Sequence, residues 1–388
     1  AAVKSARDNN TTPILPDHFM PSEYHFNARN LVYKQNTPDG GTTHFWYDLT
    51  NRLIASQNAK QAANNQYSYT KYDYLGRILE SGEVVNTHPL FTNAKNAEIH
   101  HLDYDDYELQ WLAAATDYKF RTRTYYDKSE SAMATAVFNR TGVVQENLLQ
   151  RISHITLDEN DMDNNATTYS TALHYSYDVL GNVKNLVSEN AASYIPASQK
   201  FKLIAYDYDF QSGKVNSVTY QKGKDDQFIY KYSYNDNFKL SKVETSYDGL
   251  LWDVDATYYY YKHGPLARVE YGKNKYQGID YAYTLQGWLK GINSSTLDPN
   301  YDMGQDGLAL SSIPNGNTAR DAIAMTLRYY QSGTDLDYEQ IGRTGQKIEA
   351  SLPPTMMRNN VFSGNISRSI ASIMGLPTKS MGYNYRYD

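Results

Sequence analysis

Short runs in which aromatic residues alternate with polar ones recur along the chain, and an Asp closes many of them. The clearest copy is YDYLGRI at residues 72–78, where Gly76 stands four positions after Tyr72. Side chains two positions apart in a strand point to the same face, so a Tyr-x-Tyr run places both rings on one face. The pattern therefore predicts β-strands that end at the Asp.

The residues that follow each Tyr predict a tight turn. The Asp carboxylate can accept a hydrogen bond from the backbone N–H two residues later, which forms an Asx turn. The Gly can adopt a positive φ without steric cost, as a type I turn followed by a G1 bulge requires. An Arg, Lys or Asn and an aliphatic residue then begin the return strand, so each unit predicts a β-hairpin.

Other copies keep this frame, with one extra loop residue after Tyr208 and with Asn51 in the place of the Gly after Tyr47. Degenerate copies stand at 138–144, 232–238, 260–264 and 283–289. The residues to which we assign a structural role in the repeat are Tyr47, Asp48, Tyr72, Asp73, Gly76, Tyr177, Asp178, Gly181, Tyr208, Asp209, Gly213, Tyr234, Tyr260, Gly264, Tyr283, Gly287, Trp288, Tyr387 and Asp388.

The spacing of the copies identifies a repeat architecture. Tyr47 and Tyr72 are 25 residues apart, Tyr234 lies 26 residues from both Tyr208 and Tyr260, and Tyr283 follows Tyr260 by 23. Periods of roughly 20–50 residues are typical of proteins that extend by adding units. A unit of this length predicts two strands of about ten residues each.

The rhythm divides the chain into four parts. Residues 1–23 form an N-terminal extension, 24–297 a continuous series of repeats, 298–380 a loop-rich insertion, and 381–388 the start of the next repeat. The insertion is rich in Pro and Gly, and we expect strands near Met325–Tyr330 and Val361–Ser367. An irregular stretch at 89–116 is expected to include a short helix. Because the last residues look like the middle of a unit, we expect a longer polypeptide.

The amino-acid composition indicates β-sheets whose faces are in contact with water. The chain has 38 Tyr against 11 Phe and 4 Trp, and its mean hydropathy is −0.68. Tyr favours strands and carries a hydroxyl that needs a partner, whereas disordered chains are poor in aromatic residues. The net charge of −6 without a basic block argues against nucleic acid as a partner. No apolar run approaches the 18–20 residues of a membrane helix, so no membrane insertion is expected.

Candidate chemistry is sparse. No Cys is present, and no nucleophile elbow, phosphate-binding loop or zinc-protease motif occurs, so we expect no enzyme and no cofactor. Asp298, Asn300 and Asp302 offer oxygen ligands at alternate positions for calcium. They lack the Gly and Glu of an EF-hand loop, so a solvated loop is the preferred interpretation. A second acidic cluster at 158–163 is interpreted in the same way.

Two other kinds of chemistry remain open at this point. A glycosidase needs two carboxylates about 5–10 Å apart in a cleft, and the sequence cannot select a pair among its 43 acidic residues. The four Trp residues, 46, 111, 252 and 288, could stack on sugar rings. Packing in the wall of the sheet is the preferred role for each of them.

These residues resemble the Rhs/YD-repeat family, in the variety found in Bacteroidota. The most specific stretch runs from Tyr206 to Asn293 and includes YKHGPLAR at 261–268 and QGIDYAYTLQGWLKG at 277–291. The resemblance implies an all-β fold whose hairpins spiral into a large hollow β-shell, of which this chain is a segment. It also implies the structural shell of a large secreted polymorphic toxin, which encloses a C-terminal effector and acts in competition between bacteria.

The resemblance implies partners that lie outside this chain. These are the protein's own C-terminal toxin domain and components of the type 9 secretion system, which reads a C-terminal signal. The expected location is outside a bacterial cell or on its surface. The alternative is a cell-surface adhesin or carbohydrate-binding repeat protein whose exposed Tyr and Trp side chains contact the ligand.

Overall fold

The computed structural model describes residues 21–91, 93, 101–161, 168–284, 286–308, 315–329, 364–376, 380–385 and 387. The chain forms two compact units, Ala1–Leu203 and Ile204–Asp388. The described residues contain 22 strands and few helical turns, and the strands pair almost entirely in antiparallel fashion. The prediction of an all-β fold made of successive hairpins is therefore confirmed.

The first unit is a meander in which most strands pair with their neighbours in sequence. Its strands are β1 Glu23–Phe26, β2 Val32–Thr37, β3 Gly41–Asp48, β4 Leu53–Gln57, β5 Gln66–Tyr72, β6 Ile78–Val85, β7 His101–Leu102, β8 Thr116–Tyr126, β9 Ile152–Asp161, β10 Thr171–Tyr177 and β11 Val183–Asn190. Antiparallel pairing runs from β1 to β6, passes from β6 to β8, and continues to β11. The short strand β7 lies parallel to the end of β3.

The second unit continues the same pattern, with strand β12 crossing the boundary between the units. Its strands are β12 Phe201–Tyr208, β13 Val215–Tyr220, β14 Phe228–Tyr234, β15 Leu240–Ser246, β16 Asp253–Tyr260, β17 Leu266–Tyr271, β18 Gln277–Tyr283, β19 Leu289–Ile292, β20 Ile323–Arg328, β21 Arg368–Ile373 and β22 Met381–Asn384. Each strand from β12 to β22 pairs antiparallel with the next.

The irregular stretch at 89–116 contains the short helix that the sequence predicts. A π-helical segment spans Asp105–Trp111, and a 3₁₀ turn spans Leu112–Ala114. The Tyr107 hydroxyl donates hydrogen bonds to two strand carbonyls, those of Ile54 and Thr70, at 3.0 and 2.9 Å. These bonds fasten the segment onto strands β4 and β5.

This segment completes an aromatic core in the first unit. The ring of Phe91 stacks between Trp46 and Trp111, with centroid distances of 4.5 and 4.3 Å, and all three side chains are buried. Tyr67 meets the edge of Trp111 at 5.2 Å. Offset and edge-to-face aromatic pairs add to the energy of burial, so this stack stabilises the apolar core of the unit.

The second unit has a small apolar cluster, Ala282 with Met303, and many buried polar side chains. In strands β12, β13 and β14 no residue is buried, so both faces of this part of the sheet touch solvent. Further along the chain, the segment 293–321 contributes buried Asp302 and Asp306, while β17 and β18 contribute buried Arg268 and Asp280. The composition-based expectation of wet sheet faces fits β12–β14.

Two details differ from the sequence-based expectations. The predicted hairpin copy at 138–144 is wrong, because helix α2 spans Ser131–Thr141 and Gly142 ends it with a left-handed φ of 72°. A Gly with a positive φ, four residues after an aromatic residue, can therefore end a helix as well as close a hairpin turn. Strands such as β5 and β6 have 7 and 8 residues rather than ten, because turns use the remainder.

In the insertion, one of the two expected strands lies where it was predicted. Strand β20 begins at Ile323, close to the predicted Met325–Tyr330. The second expected strand, Val361–Ser367, begins later, at Arg368, and its residues 361–363 lie outside the described part of the chain. Another α-helix among the described residues, α1, is the single turn Ala59–Ala62.

Candidate functional site

The turn at Asp73 shows how the repeat unit is closed. Backbone N–H groups of Leu75 and Arg77 donate to Asp73 Oδ1 at 2.9 and 2.8 Å, and the Arg77 Nε donates to Oδ2 at 2.6 Å. Asp73 N–H donates to the Arg77 carbonyl at 2.9 Å. One carboxylate therefore satisfies two backbone donors and holds the side chain of Arg77, the residue just before the return strand.

The same turn recurs along both units. At Asp48, Asp178 and Asn235 the side-chain oxygen again accepts the N–H groups two and four residues later. Although burial raises it, the backbone and side-chain hydrogen bonds from Arg52 hold the pKa of Asp48 below its ordinary value. The pKa values of Asp73 and Asp178 are lowered in the same way, so these carboxylates stay ionised as acceptors.

In each turn, one residue has a positive φ, which is the left-handed backbone conformation. It directly precedes the residue whose carbonyl accepts the hydrogen bond that closes the turn. These positions are Asn30 (φ 60°), Asn51 (72°), Gly76 (83°), Gln150 (61°), Gly181 (96°), Gly213 (67°), Phe238 (57°), Gly264 (121°) and Gly287 (85°). Non-glycine residues rarely adopt this conformation, and a bulky one does so at a cost. The turn geometry is thus maintained even where the sequence lacks the Gly.

A second recurring bond joins seven of the hairpins to the one before. The hydroxyl of the Tyr at the end of one strand donates to the carbonyl of the first residue of the preceding return strand. The pairs are Tyr47 to Val32 (2.6 Å), Tyr72 to Leu53 (2.9 Å), Tyr126 to Ile78 (3.0 Å), Tyr177 to Ile152 (2.9 Å), Tyr234 to Val215 (2.8 Å), Tyr260 to Leu240 (2.8 Å) and Tyr329 to Leu289 (2.9 Å). We call this row of bonds the tyrosine lock.

Basic side chains reinforce the lock. The Arg52 guanidinium lies 4.7 Å from the centre of the Tyr72 ring, and that of Arg77 lies 4.2 Å from the Tyr126 ring. Arg77 also pairs with Asp127, with Nη2 to Oδ2 at 2.8 Å. Each Arg therefore connects its own turn to the next one through an ion pair or a cation–π contact.

Sequence reasoning missed a copy at Tyr126–Asp127. The Asp127 N–H donates to the Arg151 carbonyl at 3.0 Å, and the Gln150 N–H donates to Asp127 Oδ1 at 2.6 Å. Helix α2 lies within this turn, so the Asp and the closing Arg are 24 residues apart. The available signal was the pair Arg151–Ile152, which matches Arg77–Ile78.

The other assigned residues occupy related places. Asp209 accepts the Ser212 N–H at 2.7 Å, as the extra loop residue requires. Thr284 takes the place of the Asp, because its hydroxyl accepts the Trp288 N–H at 3.1 Å. Tyr387 donates to the Ile366 carbonyl at 2.9 Å, whereas Asp388 lies outside the described residues.

A cleft of about 220 Å³ near the first turns holds three carboxylates, and each of them is engaged. Asp48 accepts the turn bonds described above, Asp103 Oδ1 accepts the Asp106 N–H at 2.8 Å, and Glu108 pairs with Lys71 at 3.1 Å. Ligand pockets usually measure about 300–1,000 Å³. The cleft is smaller, and its acids serve local structure.

The buried polar cluster of the second unit is centred on Arg268, whose side chain is fully buried. Its Nε contacts Glu270 at 3.0 Å, its Nη1 contacts Asp280, and its Nη2 contacts Asp306 at 2.9 Å. The Asp306 N–H donates to Asp302 Oδ2 at 2.8 Å. Strands β17 and β18 are thereby tied to the segment that contains Asp302 and Asp306.

Two glycines make room for this cluster. A Cβ atom at Gly278 would overlap Arg268 Nη2 and Asp306 Oδ2. A Cβ atom at Gly304 would overlap Arg268 Nη1 and Asp280 Oδ2. The backbone approaches the charged groups so closely that only Gly fits at both positions.

The carboxyl groups of Asp280 and Asp306 resist ionisation. Burial raises the pKa of Asp280 to about 7 and that of Asp306 to about 6, in spite of the attraction of Arg268. Burial, together with the neighbouring Asp302, raises the pKa of Asp321 far above its usual value. Among the described residues, no Lys or Arg forms an ion pair with Asp302 or Asp321.

The calcium candidates from the sequence are separated by the structure. Asp298 Oδ1 accepts hydrogen bonds from the backbone and side-chain nitrogens of Asn300 at 3.0 and 2.9 Å on an exposed loop. Asp302 instead lies within the buried cluster, where its oxygen is within 4.8 Å of oxygens from Asp280 and Asp306. The second acidic cluster, 158–163, extends into residues outside the described part of the chain.

The Trp residues also occupy distinct environments. Trp46 and Trp111 are 1% and 0% exposed, so neither can stack on a sugar. Trp252 donates to the Gly249 carbonyl at 3.2 Å, and Trp288 packs against Tyr329 with the ring centres 5.0 Å apart. The helices among the described residues are all too short to cross a bilayer.

Comparison with known proteins gives structural likenesses only. No family model and no curated protein matches the chain. Among solved structures, the chain is similar to TcdB2-TccC3, with 13% identity over 98% of this chain and 17% of that chain and a TM-score of 0.47. The form of TcdB2-TccC3 without its hypervariable C-terminal region gives 12% identity, the same coverages and a TM-score of 0.45. A porin-like protein from Bacteroides uniformis gives 8% identity over 61% of this chain and 81% of that chain, with a TM-score of 0.27.

Proposed function

We propose that this chain is a structural wall segment of a secreted toxin shell that encloses a C-terminal effector domain outside this chain. The observation that carries the proposal is the tyrosine lock, in which seven hairpins donate the same hydrogen bond to the hairpin before them. A sheet locked in this way extends by adding units and needs no separate core for each one. Such a wall suits enclosure better than binding by one compact domain.

The exposure of the sheet supports the same role. Strands β12–β14 present stacked Tyr rings, such as Tyr206 with Tyr208 at 6.3 Å and Tyr230 with Tyr232 at 6.5 Å, on faces without a buried residue. Tyr rings keep a polar hydroxyl at the surface while they cover the backbone with apolar area. A wall with this surface can face water on one side and a polypeptide cargo on the other.

The role we propose is not catalytic. The acids of the cleft near Asp48 are held by turn N–H groups and by Lys71, and the acids near Arg268 are buried. A general acid or base must reach the substrate proton within hydrogen-bond distance. In both places the side chains are engaged in holding strands and loops together.

The test is the mass of the intact native polypeptide, followed by limited proteolysis. We expect a protein much longer than 388 residues, with a C-terminal domain that trypsin spares while the wall is folded. Mild denaturation that opens the hairpins should expose that domain to cleavage. A native mass near 44.3 kDa, or equal cleavage of the domain before and after denaturation, would refute enclosure.

The export route is part of the proposal and has its own test. The resemblance to Bacteroidota Rhs proteins supports transport by the type 9 secretion system, through a C-terminal signal outside this chain. In a host strain that lacks the type 9 translocon, the protein should accumulate inside the cell. Normal amounts of the protein in the culture medium of that strain would exclude this export route. The proposal that the chain is a wall segment would not be affected.

An adhesin is the second candidate, and exposed aromatic residues at the hairpin ends favour it. Tyr74 is 92% exposed, Tyr247 76% and Phe210 75%, so these rings are free to meet a glycan. A glycan array probed with the purified chain tests this directly. Specific binding that is lost in a Tyr74→Ser, Phe210→Ser double variant would favour adhesion, and an array without binding would remove the candidate.

A further inference from the structure

Three buried carboxylates from distant positions converge in the second unit. Asp280 lies on β18, whereas Asp302 and Asp306 lie on the segment that follows β19, and all three are at most 3% exposed. One oxygen from each lies within 4.8 Å of the others. Two ligands of a common ion at about 2.4 Å, a typical calcium distance, can be at most about 4.8 Å apart. The spacing therefore permits a single shared cation.

The hydrogen bonds leave acceptors free in this place. Asp280 uses Oδ2 for Arg268, and Asp302 uses Oδ2 for the Asp306 N–H. The other oxygens, Asp280 Oδ1 and Asp302 Oδ1, are buried without a hydrogen-bond partner. A buried carboxylate oxygen without a donor is costly, since most buried polar groups are paired. Two such oxygens in one cluster point to a missing positive partner.

The charges of the neighbouring groups lead to the same conclusion. Arg268 contacts Asp280 and Asp306, and Lys275 contacts Glu270 at 3.1 Å. Among the described residues, no Lys or Arg forms an ion pair with Asp302, although this residue is buried and only 3% exposed. Carboxylates that crowd one site repel each other unless a proton or a cation neutralises them.

We propose that Asp280, Asp302 and Asp306 bind a calcium ion that fastens the segment 293–321 to strand β18. An all-oxygen ligand set of carboxylates selects a hard cation over zinc or copper. Calcium accepts irregular geometry, whereas magnesium requires a near-ideal octahedron and keeps several waters. Ligands from a strand and an irregular segment suit the more tolerant ion. The inference does not depend on the proposed function of the wall.

The chain offers a matched pair of variants for the test. Asp302→Asn removes the charge of a proposed ligand with almost no change in shape. Asp298→Asn makes the same change four residues earlier, on the exposed loop where Asp298 contacts Asn300. The full 388-residue chain is stripped with EDTA and titrated with CaCl₂ at pH 7.5 by calorimetry and thermal unfolding.

We expect calcium at about 100 times its Kd to raise the Tm of the wild-type chain and of Asp298→Asn by roughly 3–4 °C. Asp302→Asn should bind calcium at least tenfold more weakly while it keeps the circular dichroism spectrum of the stripped wild type. Absence of binding to the wild type, or equal binding by wild type and Asp302→Asn, would overturn the proposal. Absence of calcium binding by the wild type, together with a stripped Asp302→Asn chain at least as stable as the stripped wild type, would assign the neutralisation to protons.

Discussion

Removing three hydroxyls of the tyrosine lock should destabilise the first unit by about 3 kcal/mol. The perturbation is the triple change Tyr72→Phe, Tyr126→Phe and Tyr177→Phe, which keeps every ring. Each change deletes one hydrogen bond of 2.9–3.0 Å to a strand carbonyl. The lock thus loses three consecutive bonds, and the apolar packing stays the same.

The magnitude follows from the surroundings of each bond. A neutral hydrogen bond contributes about 0.5–1.5 kcal/mol net, with the larger values where water cannot replace the lost partner. Tyr177 is 8% exposed, so its loss should cost about 1.5 kcal/mol, whereas the bonds of Tyr72 and Tyr126 are open to solvent and should cost about 0.5–1 kcal/mol each. The three sites share no donor or acceptor, so the losses should add.

Urea unfolding at pH 7 measures the effect, with hydrogen exchange of peptides from β4 to β10 to locate it. The triple variant should unfold at lower urea with an unchanged m-value, and the amides of these strands should exchange faster. Tyr74→Phe is the control, because Tyr74 is 92% exposed at a hairpin end and the same hydroxyl is removed. A triple variant within about 0.5 kcal/mol of Tyr74→Phe would show that the lock does not stabilise the sheet.

Three other changes test separate parts of the structure. Phe238→Gly should stabilise the chain by about 1 kcal/mol in urea unfolding, because Phe238 has a φ of 57° and its ring is 61% exposed; a loss of stability would contradict the strain. Phe91→Ala should cost about 3–5 kcal/mol by removing the centre of the Trp stack, whereas Phe138→Ala, at a 51% exposed position, should cost far less in the same assay. Burial holds the pKa of His154 at about 4, so the unfolded chain binds a proton that the folded chain does not between about pH 6.5 and 4. The free energy of unfolding should therefore fall by up to about 3 kcal/mol as the pH decreases through that range. The substitution His154→Phe should reduce this fall. The control substitution His263→Phe, at an exposed position, should leave it unchanged.

Much of the fold could be predicted from the sequence because the hairpin is held by local bonds. The Asp73 carboxylate reaches N–H groups only two and four residues away, and Gly76 supplies the left-handed turn within the same five residues. Alternation of Tyr with polar residues also fixes the shared face of a strand, as the stacked rings of Tyr175 and Tyr177 show. Such patterns are complete within one unit, so they can be found without knowing the rest of the chain.

Other features depend on contacts between distant residues. The turn of Asp127 is closed by Arg151 across an entire helix, so its frame is absent from any short window of sequence. Trp46 is buried because Phe91 and the helical segment after it pack over the sheet. No local pattern at Trp46 specifies which segment will cover it.

The buried cluster around Arg268 is another feature that depends on contacts between distant residues. The sequence alone grouped Asp302 with Asp298 and Asn300, because neighbours at alternate positions are the only constellation that a linear pattern can offer. Folding instead brings Asp302 to Asp280 and Asp306, through a strand pairing and a returning loop. Local hydrogen-bonding chemistry therefore determined the hairpins, whereas long-range packing decided which charges share a buried site, since desolvation acts on groups that only the tertiary structure brings together.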